Sequence, residues 1–153
     1  MADVFSSKQR SEIMSKIRSS RTRVELVMKS ILEEDSIPFQ YQPSTKGRPD
    51  FLIDSKVAVF VNGCFWHKCP LHYREPKTNV RFWRNKVLMN EARLKRNKSV
   101  LRRKGFRVVS FWEHDVEGTP SKCLEKVRRT LRKPLLPIKS PSPQVAYACR
   151  SHL

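Results

Sequence analysis

An α/β fold, with a mixed β-sheet flanked by helices, follows from three features of the sequence. Apolar residues recur at helical spacing in two segments, near residues 23–34 and 80–101. Three short runs of strand composition lie between those segments, and a further strand-like run with a final helical segment follows the second. The order helix, three strands, helix, strand, helix describes a mixed sheet with helices packed on it.

Each element has its own local reason. Thr22 followed by Glu25 is a capping box, and Val24, Val27, Met28, Ile31 and Leu32 fall on one face of the helix it would start. That pattern predicts a helix over residues 23–34. Phe39-Gln40-Tyr41-Gln42, Phe51-Leu52-Ile53 and Val57-Ala58-Val59-Phe60-Val61 have strand composition, the last two parted by the polar turn Asp54-Ser55-Lys56. Val80, Trp83, Val87, Asn90, Leu94, Asn97 and Leu101 form an alternating three-four stripe, so a long helix is expected, ending at Lys104-Gly105. Residues 106–112 read as a fourth strand, and residues 121–132 as a last helix after Thr119-Pro120.

A chain of 153 residues is the size of one domain and can bury a core. We expect a basic segment at residues 1–21, a core at residues 22–133, and an extended Pro-rich tail at residues 134–153 with no catalytic role. Against 14 acids stand 32 Lys and Arg, a formal net charge of +18. A surplus of that size is the footprint of a polyanionic partner, with nucleic acid the leading choice. Residues 80–104 hold ten basic side chains, Lys86 and Arg93 among them, and the single acid Glu91. A solvated helix face is the common fate of a charge run, but one acid among ten bases leaves few intrahelical ion pairs. This segment is therefore expected to face phosphates. No apolar run approaches the ~20 residues of a membrane span, and the first ten residues lack the apolar stretch of a secretory signal. An intracellular protein, cytoplasmic or nucleoid-associated, is expected, and a monomer.

Chemistry concentrates in Gly63-Cys64-Phe65-Trp66-His67-Lys68-Cys69-Pro70-Leu71-His72, two thiols, two imidazoles and an aromatic pair, Phe65 and Trp66, expected to stand exposed in the loop. Cys64, Cys69 and His72 can be turned by one loop onto a single cation, and zinc suits thiolate and imidazole ligands. A fourth ligand is needed, with His67, His114 and Cys123 available. Cys123 lies beside Leu124 and Val127 on the apolar side of the last helix and reads as a buried thiol. Asp50 follows Pro49 and opens a strand; a carboxylate there, near a basic surface, suits Mg²⁺, which takes one or two carboxylates and leaves its other positions to water and phosphate. An ordinary turn aspartate is the simpler alternative. Glu25 is first of all a capping glutamate. His67, if it does not bind zinc, is free to take a proton from an attacking water.

Gly47-Arg48-Pro49-Asp50-Phe51, Val59-Phe60-Val61-Asn62-Gly63-Cys64-Phe65-Trp66-His67, Pro76-Lys77-Thr78-Asn79 with Phe82-Trp83, and Gly105-Phe106-Arg107-Val108 with Trp112-Glu113 together resemble the very short patch repair (Vsr) endonucleases. The blocks stand in the family's order over roughly residues 8–132. The resemblance implies the fold of the type II restriction endonucleases. It also implies an enzyme that nicks one strand 5′ to the thymine of a T:G mismatch left by deamination of 5-methylcytosine, with a functional link to a DNA cytosine methyltransferase. Carried over by position, Asp50 is the Mg²⁺ ligand, with Val61 binding through its backbone carbonyl. His67 is the general base, Asn62 holds an active-site position often occupied by histidine, and Glu25 is a helix acid near the metal-bound waters. Phe65, Trp66 and Trp83 match aromatics that wedge into DNA beside the mismatch, and Met14 matches a residue inserted from the opposite groove. The same resemblance gives Cys64, Cys69, His72 and His114 as zinc ligands, and it sets Leu94 where an aspartate is common. The competing reading is a non-catalytic, zinc-containing DNA-binding protein, for which Asp50 would be dispensable.

Overall fold

The computed structural model describes residues 21–134 together with residues 6, 8, 9 and 12. Met14, nearly all of the expected segment at residues 1–21, and the tail beyond residue 134 lie outside the described residues.

Helix α1 (Arg23–Glu34) starts where the capping box predicts. The Thr22 hydroxyl oxygen accepts the Glu25 N–H at 3.4 Å, and the Glu25 carboxylate accepts the Thr22 N–H at 3.4 Å and the Thr22 hydroxyl at 2.9 Å. Strands β1 (Phe39–Tyr41), β2 (Phe51–Ile53) and β3 (Val57–Asn62) follow, then the long helix α2 (Val80–Arg103) and strand β4 (Arg107–Trp112). A short helix α3 (Glu113–Gly118) and helix α4 (Pro120–Arg132) complete the order. Helix α3 was not expected, because six residues are too few to show a period; Asp115 in its first turn accepts the Trp112 N–H at 3.4 Å. Helix α4 begins one residue earlier than expected. Pro120 is itself the first helical residue, where the missing N–H costs nothing.

The sheet has the order β1-β2-β3-β4, antiparallel except for the parallel pair β3 and β4 that α2 connects. Every residue of β3 is buried, which requires cover on both faces of the sheet. Val57, Val59 and Val61 pack with Val24, Met28 and Leu32 of α1, Val116 of α3, and Cys123 and Val127 of α4. Ala58 and Phe60, on the alternate positions, pack with Leu101 and Leu94 of α2. The sheet is thus sandwiched between α2 and a layer of three helices. Burial of a side chain such as Met28, Leu32 or Phe51 stabilises by ~1.5–3 kcal/mol. No helix among the described residues is long and apolar enough to cross a membrane.

Two glycines make the α2 layer possible. After α2, the Phe106 N–H reaches the Leu101 carbonyl and the Gly105 N–H the Arg102 carbonyl, a helix stop that Gly105 permits with φ 86°. Gly47, at φ 108°, passes so close to α2 that an added Cβ would stand 2.6 Å from Leu101 Cγ. Gly47→Ala is therefore expected to lower unfolding free energy in urea by ~1–3 kcal/mol. Gly118→Ala, where a Cβ would meet nothing within 4 Å, should leave it unchanged or raise it. Equal effects of the two would contradict the close approach.

Candidate active site and metal centre

Because β3 and β4 are parallel, their C-terminal ends leave the sheet on the same side. The loop after β3 carries Cys64, Cys69 and His72, and the turn after β4 carries His114. A hydrogen bond from the Cys64 N–H to Glu113 Oε2, 2.9 Å, joins the two exits. One ligand atom from each of the four residues lies within 4.8 Å of the others. Cys64 Sγ is 3.2 Å from His114 Nδ1, Cys69 Sγ is 3.7 Å from the same nitrogen, and Cys69 Sγ is 3.9 Å from His72 Nδ1. Tetrahedral Zn²⁺ with bonds of 2.0–2.3 Å needs ligand atoms about 3.3–3.8 Å apart, so the set fits zinc after small adjustments. His114 turns its Nε2 toward Asp115 Oδ1, 3.4 Å away, the carboxylate support usual behind a metal-binding imidazole. Burial pushes the Cys64 thiol up, His114 opposes the shift, and Cys69 and Glu113 add to it, a crowding of acidic groups that a bound cation would relieve.

The sequence left three residues available as a fourth ligand; of these, His114 is the one that lies with Cys64, Cys69 and His72. Cys123 is buried in the core under α4, where desolvation, reinforced by Asp115, raises its thiol to about 11. His67 stands apart from the four.

Asp50 sits one residue ahead of β2 and is held from both sides. Its carbonyl accepts the Gln42 N–H at 2.8 Å, its N–H donates to the Val59 carbonyl at 2.9 Å, and its Oδ2 accepts the Val61 N–H at 2.7 Å. Burial raises its carboxyl to about 7; the Val61 hydrogen bond opposes this and the charge of Glu25 adds to it. Glu25 is buried and does more than cap its helix. It also accepts the Arg21 N–H at 3.1 Å, the Tyr41 hydroxyl at 3.0 Å and the Gln42 side-chain amide at 3.1 Å. Desolvation, the hydrogen bond to Glu25 and the two carboxylate charges raise Tyr41 to about 12, which keeps its hydroxyl a donor. Asp50 Oδ1 has no hydrogen-bond partner among the described residues. An open carboxylate oxygen beside a second carboxylate and the main chain of Val61 is a hard-oxygen set that fits Mg²⁺.

His67 and Asn62 belong to a neighbouring cleft of about 390 Å³ between the end of β3 and α2, which Leu94, Lys95, Lys98 and Arg102 also line. Asn62 is buried, and its amide forms no hydrogen bond among the described residues. His67 Nδ1 is buried without a hydrogen-bond partner among the described residues. Desolvation, with smaller effects from Lys98 and Arg93, lowers His67 to about 4, so its ring is neutral at physiological pH. No hydrogen bond joins His67 to Asp50 among the described residues; the chain from Val61, which binds Asp50, to Asn62, which lines the cleft, is their link.

Phe65 and Trp66 do not stand exposed as the loop sequence suggested. Phe65, Trp66 and Trp83 are half-buried against one another, with ring centroids 5.1 to 6.1 Å apart, and Phe82 and Tyr73 extend the group. Apolar rings in a loop gain more by packing together than by facing water. Lys86 and Arg93 are exposed on α2. Arg93 donates to Asn90 Oδ1 at 2.7 Å, and the Asn90 amide donates to the Trp66 carbonyl at 3.3 Å, anchoring the aromatic loop to α2. Sequence reasoning passed over Tyr41, Gln42, Glu113 and Asn90 as site residues, and named Lys98 only as one of the ten bases of residues 80–104. Only Asn90 carried a signal, a polar residue on an apolar stripe.

A family model described as DNA mismatch endonuclease Vsr matches residues 2–72. The DNA mismatch endonuclease Vsr of Escherichia coli K12 is 37% identical over 122 residues, spanning 77% of this chain and 78% of its own. The type II nicking enzyme V.NmeAIP of Neisseria meningitidis serogroup A is 33% identical over 139 residues, spanning 87% and 96%. Among solved structures, the catalytic domain of the homing endonuclease I-Bth0305I gives a TM-score of 0.47 at 23% identity, over 71% of this chain and 93% of that one, too distant to bear on the fold. These relatives put the chain in the endonuclease class. More narrowly, it belongs to the Vsr family of DNA mismatch endonucleases.

Two tests follow from the site's electrostatics. Asp50 is near 7 in the folded protein against an ordinary 3.8, so between those values the folded state holds a proton that the unfolded chain has lost. Stability therefore falls as pH rises through this window. In metal-free buffer Asp50→Asn should match wild type in thermal midpoint at pH 3.5 and exceed it by a few degrees at pH 8. A difference independent of pH would contradict this. Mass spectrometry under native conditions should find one zinc per chain, and its removal by a chelator should lower the midpoint, by about 2–4 °C for each kcal/mol lost. Cys69→Ser should bind less zinc, whereas Cys123→Ser should bind one equivalent.

Proposed function

We propose that this protein is a strand-specific DNA endonuclease that nicks duplex DNA 5′ to the thymine of a T:G mismatch, using Mg²⁺ for catalysis and Zn²⁺ for structure. The observation that carries this reading is the Asp50 carboxylate, buried, bonded to the Val61 N–H and facing a second carboxylate at a raised pKa near 7. A protein that only binds DNA has no use for such a group. Asp50 and the Val61 carbonyl would hold Mg²⁺, which supplies, when bound, a counter-charge to the scissile phosphate and to the leaving 3′-oxygen.

The chain's own residues do the rest. Glu25, fixed by Tyr41 and Gln42, orients water beside Asp50. Neutral His67 takes the proton of the attacking water: burial, with smaller effects from Lys98 and Arg93, keeps the ring unprotonated at physiological pH, and the negative charge of the bound phosphate offsets what those cations do to the imidazolium that forms. Asn62 donates an amide hydrogen to the reacting strand, a role open to asparagine, which cannot take a proton near neutral pH. Cys64, Cys69, His72 and His114 would hold zinc and so fasten the loop of Phe65, Trp66 and His67 to the end of β4. Phe65, Trp66 and Trp83 open the base stack at the mismatch. Unstacking costs a few kcal/mol per step and is cheapest where pairing is already faulty, which supports mismatch selection. Lys86 and Arg93 meet the DNA backbone from α2, and Met14 enters from the other groove.

The rest of the reading follows the family. Residues 22–133 form the endonuclease core, of restriction-endonuclease type; residues 1–21 contact DNA, and residues 134–153 are an appendage. The protein acts inside the cell, in the cytoplasm or associated with the nucleoid, as a monomer, with a functional link to a DNA cytosine methyltransferase whose deaminated product supplies the mismatch.

A strand-resolved assay on end-labelled duplexes with one T:G pair, or T:A in its place, tests the reading, with the flanking sequence varied. Wild type should nick the thymine strand of the T:G duplex only with Mg²⁺, and Asp50→Ala should abolish the nick while DNA binding persists. His67→Ala should slow it by about 10²–10⁴-fold, the usual worth of a general base. Tight binding without incision in any flanking sequence, by wild type and Asp50→Ala alike, would favour a binding protein without activity.

A further inference from the structure

Lys95, Lys98 and Arg102 belong to the basic segment expected to face phosphates, but the mechanism above gives none of them a place. Lys98 is half-buried, its Nζ 5.7 Å from the centre of the Phe60 ring, and Lys95 and Arg102 line the same space. None of the three forms an ion pair among the described residues, and Glu91 is the one acid on the cleft wall. Burial pulls the Lys98 ammonium below the usual lysine range, and the charged groups that act on it, Arg102 and Lys126, are both cations and add to the shift. A lysine left half out of water among like charges costs stability unless an anion joins it. A solvated lysine would extend away from the sheet, whereas this one lies over an aromatic ring that holds it in place. Across the cleft stands the Asn62 amide, without a hydrogen-bond partner among the described residues, and beside it the His67 ring, whose Nδ1 is turned away from the cleft. Cations on one wall and an unused hydrogen-bonding group on the other suit a small anion with several oxygens.

We propose that Lys98, with Lys95 and Arg102 beside it, binds a backbone phosphate of duplex DNA in this cleft, against Asn62 and His67. The contact sets the register of the strand and rests on the DNA-endonuclease reading of the same site. The ammonium acts as a point charge on the phosphate, Asn62 donates to one of its oxygens, and the phosphate supplies the counter-charge that the wall lacks.

Lys98→Met keeps the alkyl stem over Phe60 and removes the charge; Lys98→Arg keeps the charge. Duplex affinity is measured by anisotropy across a salt series, beside single-turnover nicking. Lys98→Met should bind ~5- to 10-fold more weakly at 100 mM salt and lose about one from the slope of log affinity against log salt, with Lys98→Arg restoring the slope. In wild type, acetylation of Lys98 followed by mass spectrometry should fall several-fold when duplex DNA is bound, while Lys29, on the opposite layer, reacts as before. This measurement decides the matter even where Lys98→Met does not fold. Unchanged affinity and slope in Lys98→Met, or unprotected Lys98, in a protein that still nicks T:G duplex, overturns the phosphate contact and leaves the endonuclease reading standing. A wild type that neither binds nor nicks duplex DNA overturns both.

Discussion

The burial of β3 on both faces is the constraint from which the candidate site descends. Six consecutive buried residues must alternate between two cores, Val57, Val59 and Val61 to one and Ala58 and Phe60 to the other, and both helix layers are needed to close them. That requirement fixes α2 against the sheet, brings Gly47 under Leu101, and sends β3 and β4 out on the same side. The Val61 N–H then meets Asp50, and the next residue, Asn62, opens on the basic cleft. Two neighbouring residues on one strand serve two different electrostatic surroundings.

Those surroundings have opposite deficits. Around Asp50 and Glu25 acids are concentrated; burial first, and the neighbouring negative charge after it, raise the carboxyl of Asp50 and the hydroxyl of Tyr41. In the cleft, positive charge is concentrated, and Lys98 is lowered with cations as its charged neighbours. Neither group relieves the other, because each is fixed by its own element: Asp50 by the ladder of β1, β2 and β3, Lys98 by its seat over Phe60. Each deficit calls for a separate ligand, a cation for the acids and an anion for the bases. A metal ion and a nucleic-acid phosphate satisfy both at once, and this preorganised imbalance is worth more in a partly dry site than in water.

Much of the architecture was legible in the sequence because its determinants are local. The capping box at Thr22 and Glu25, the stripe through Val87 and Leu101, and the strand compositions before and after Asp54-Ser55-Lys56 each mark an element without reference to the rest of the chain. The four ligand-type residues were legible too, three of them from their density, while His114 needed either a family resemblance or the parallel pairing of β3 with β4 to bring it to the loop. What could not be read are contacts between distant segments. Tyr41 and Gln42 reach Glu25 across 16 and 17 residues, Glu113 reaches Cys64 across 49, and nothing in the sequence around any of them announces a partner. The aromatic loop was misjudged for the same reason, since its exposure depends on where α2 lies.

Leu94 shows how a departure from the family's pattern acts through this arrangement. The resemblance sets it where an aspartate is common, and the structure puts it on the cleft wall between Glu91 and Lys98. An acid at that point would stand within reach of the cations and neutralise part of their charge; leucine instead packs against Ala58, Phe60 and Leu101 and gives the second core more apolar surface. The substitution thus exchanges an internal counter-ion for packing. The wall keeps its full positive charge for whatever enters from outside, and Asn62, an amide in a position often held by histidine, adds a hydrogen-bonding group without adding another titrating cation. Both departures act in one direction, toward a cleft whose charge is balanced by its ligand and not by the protein.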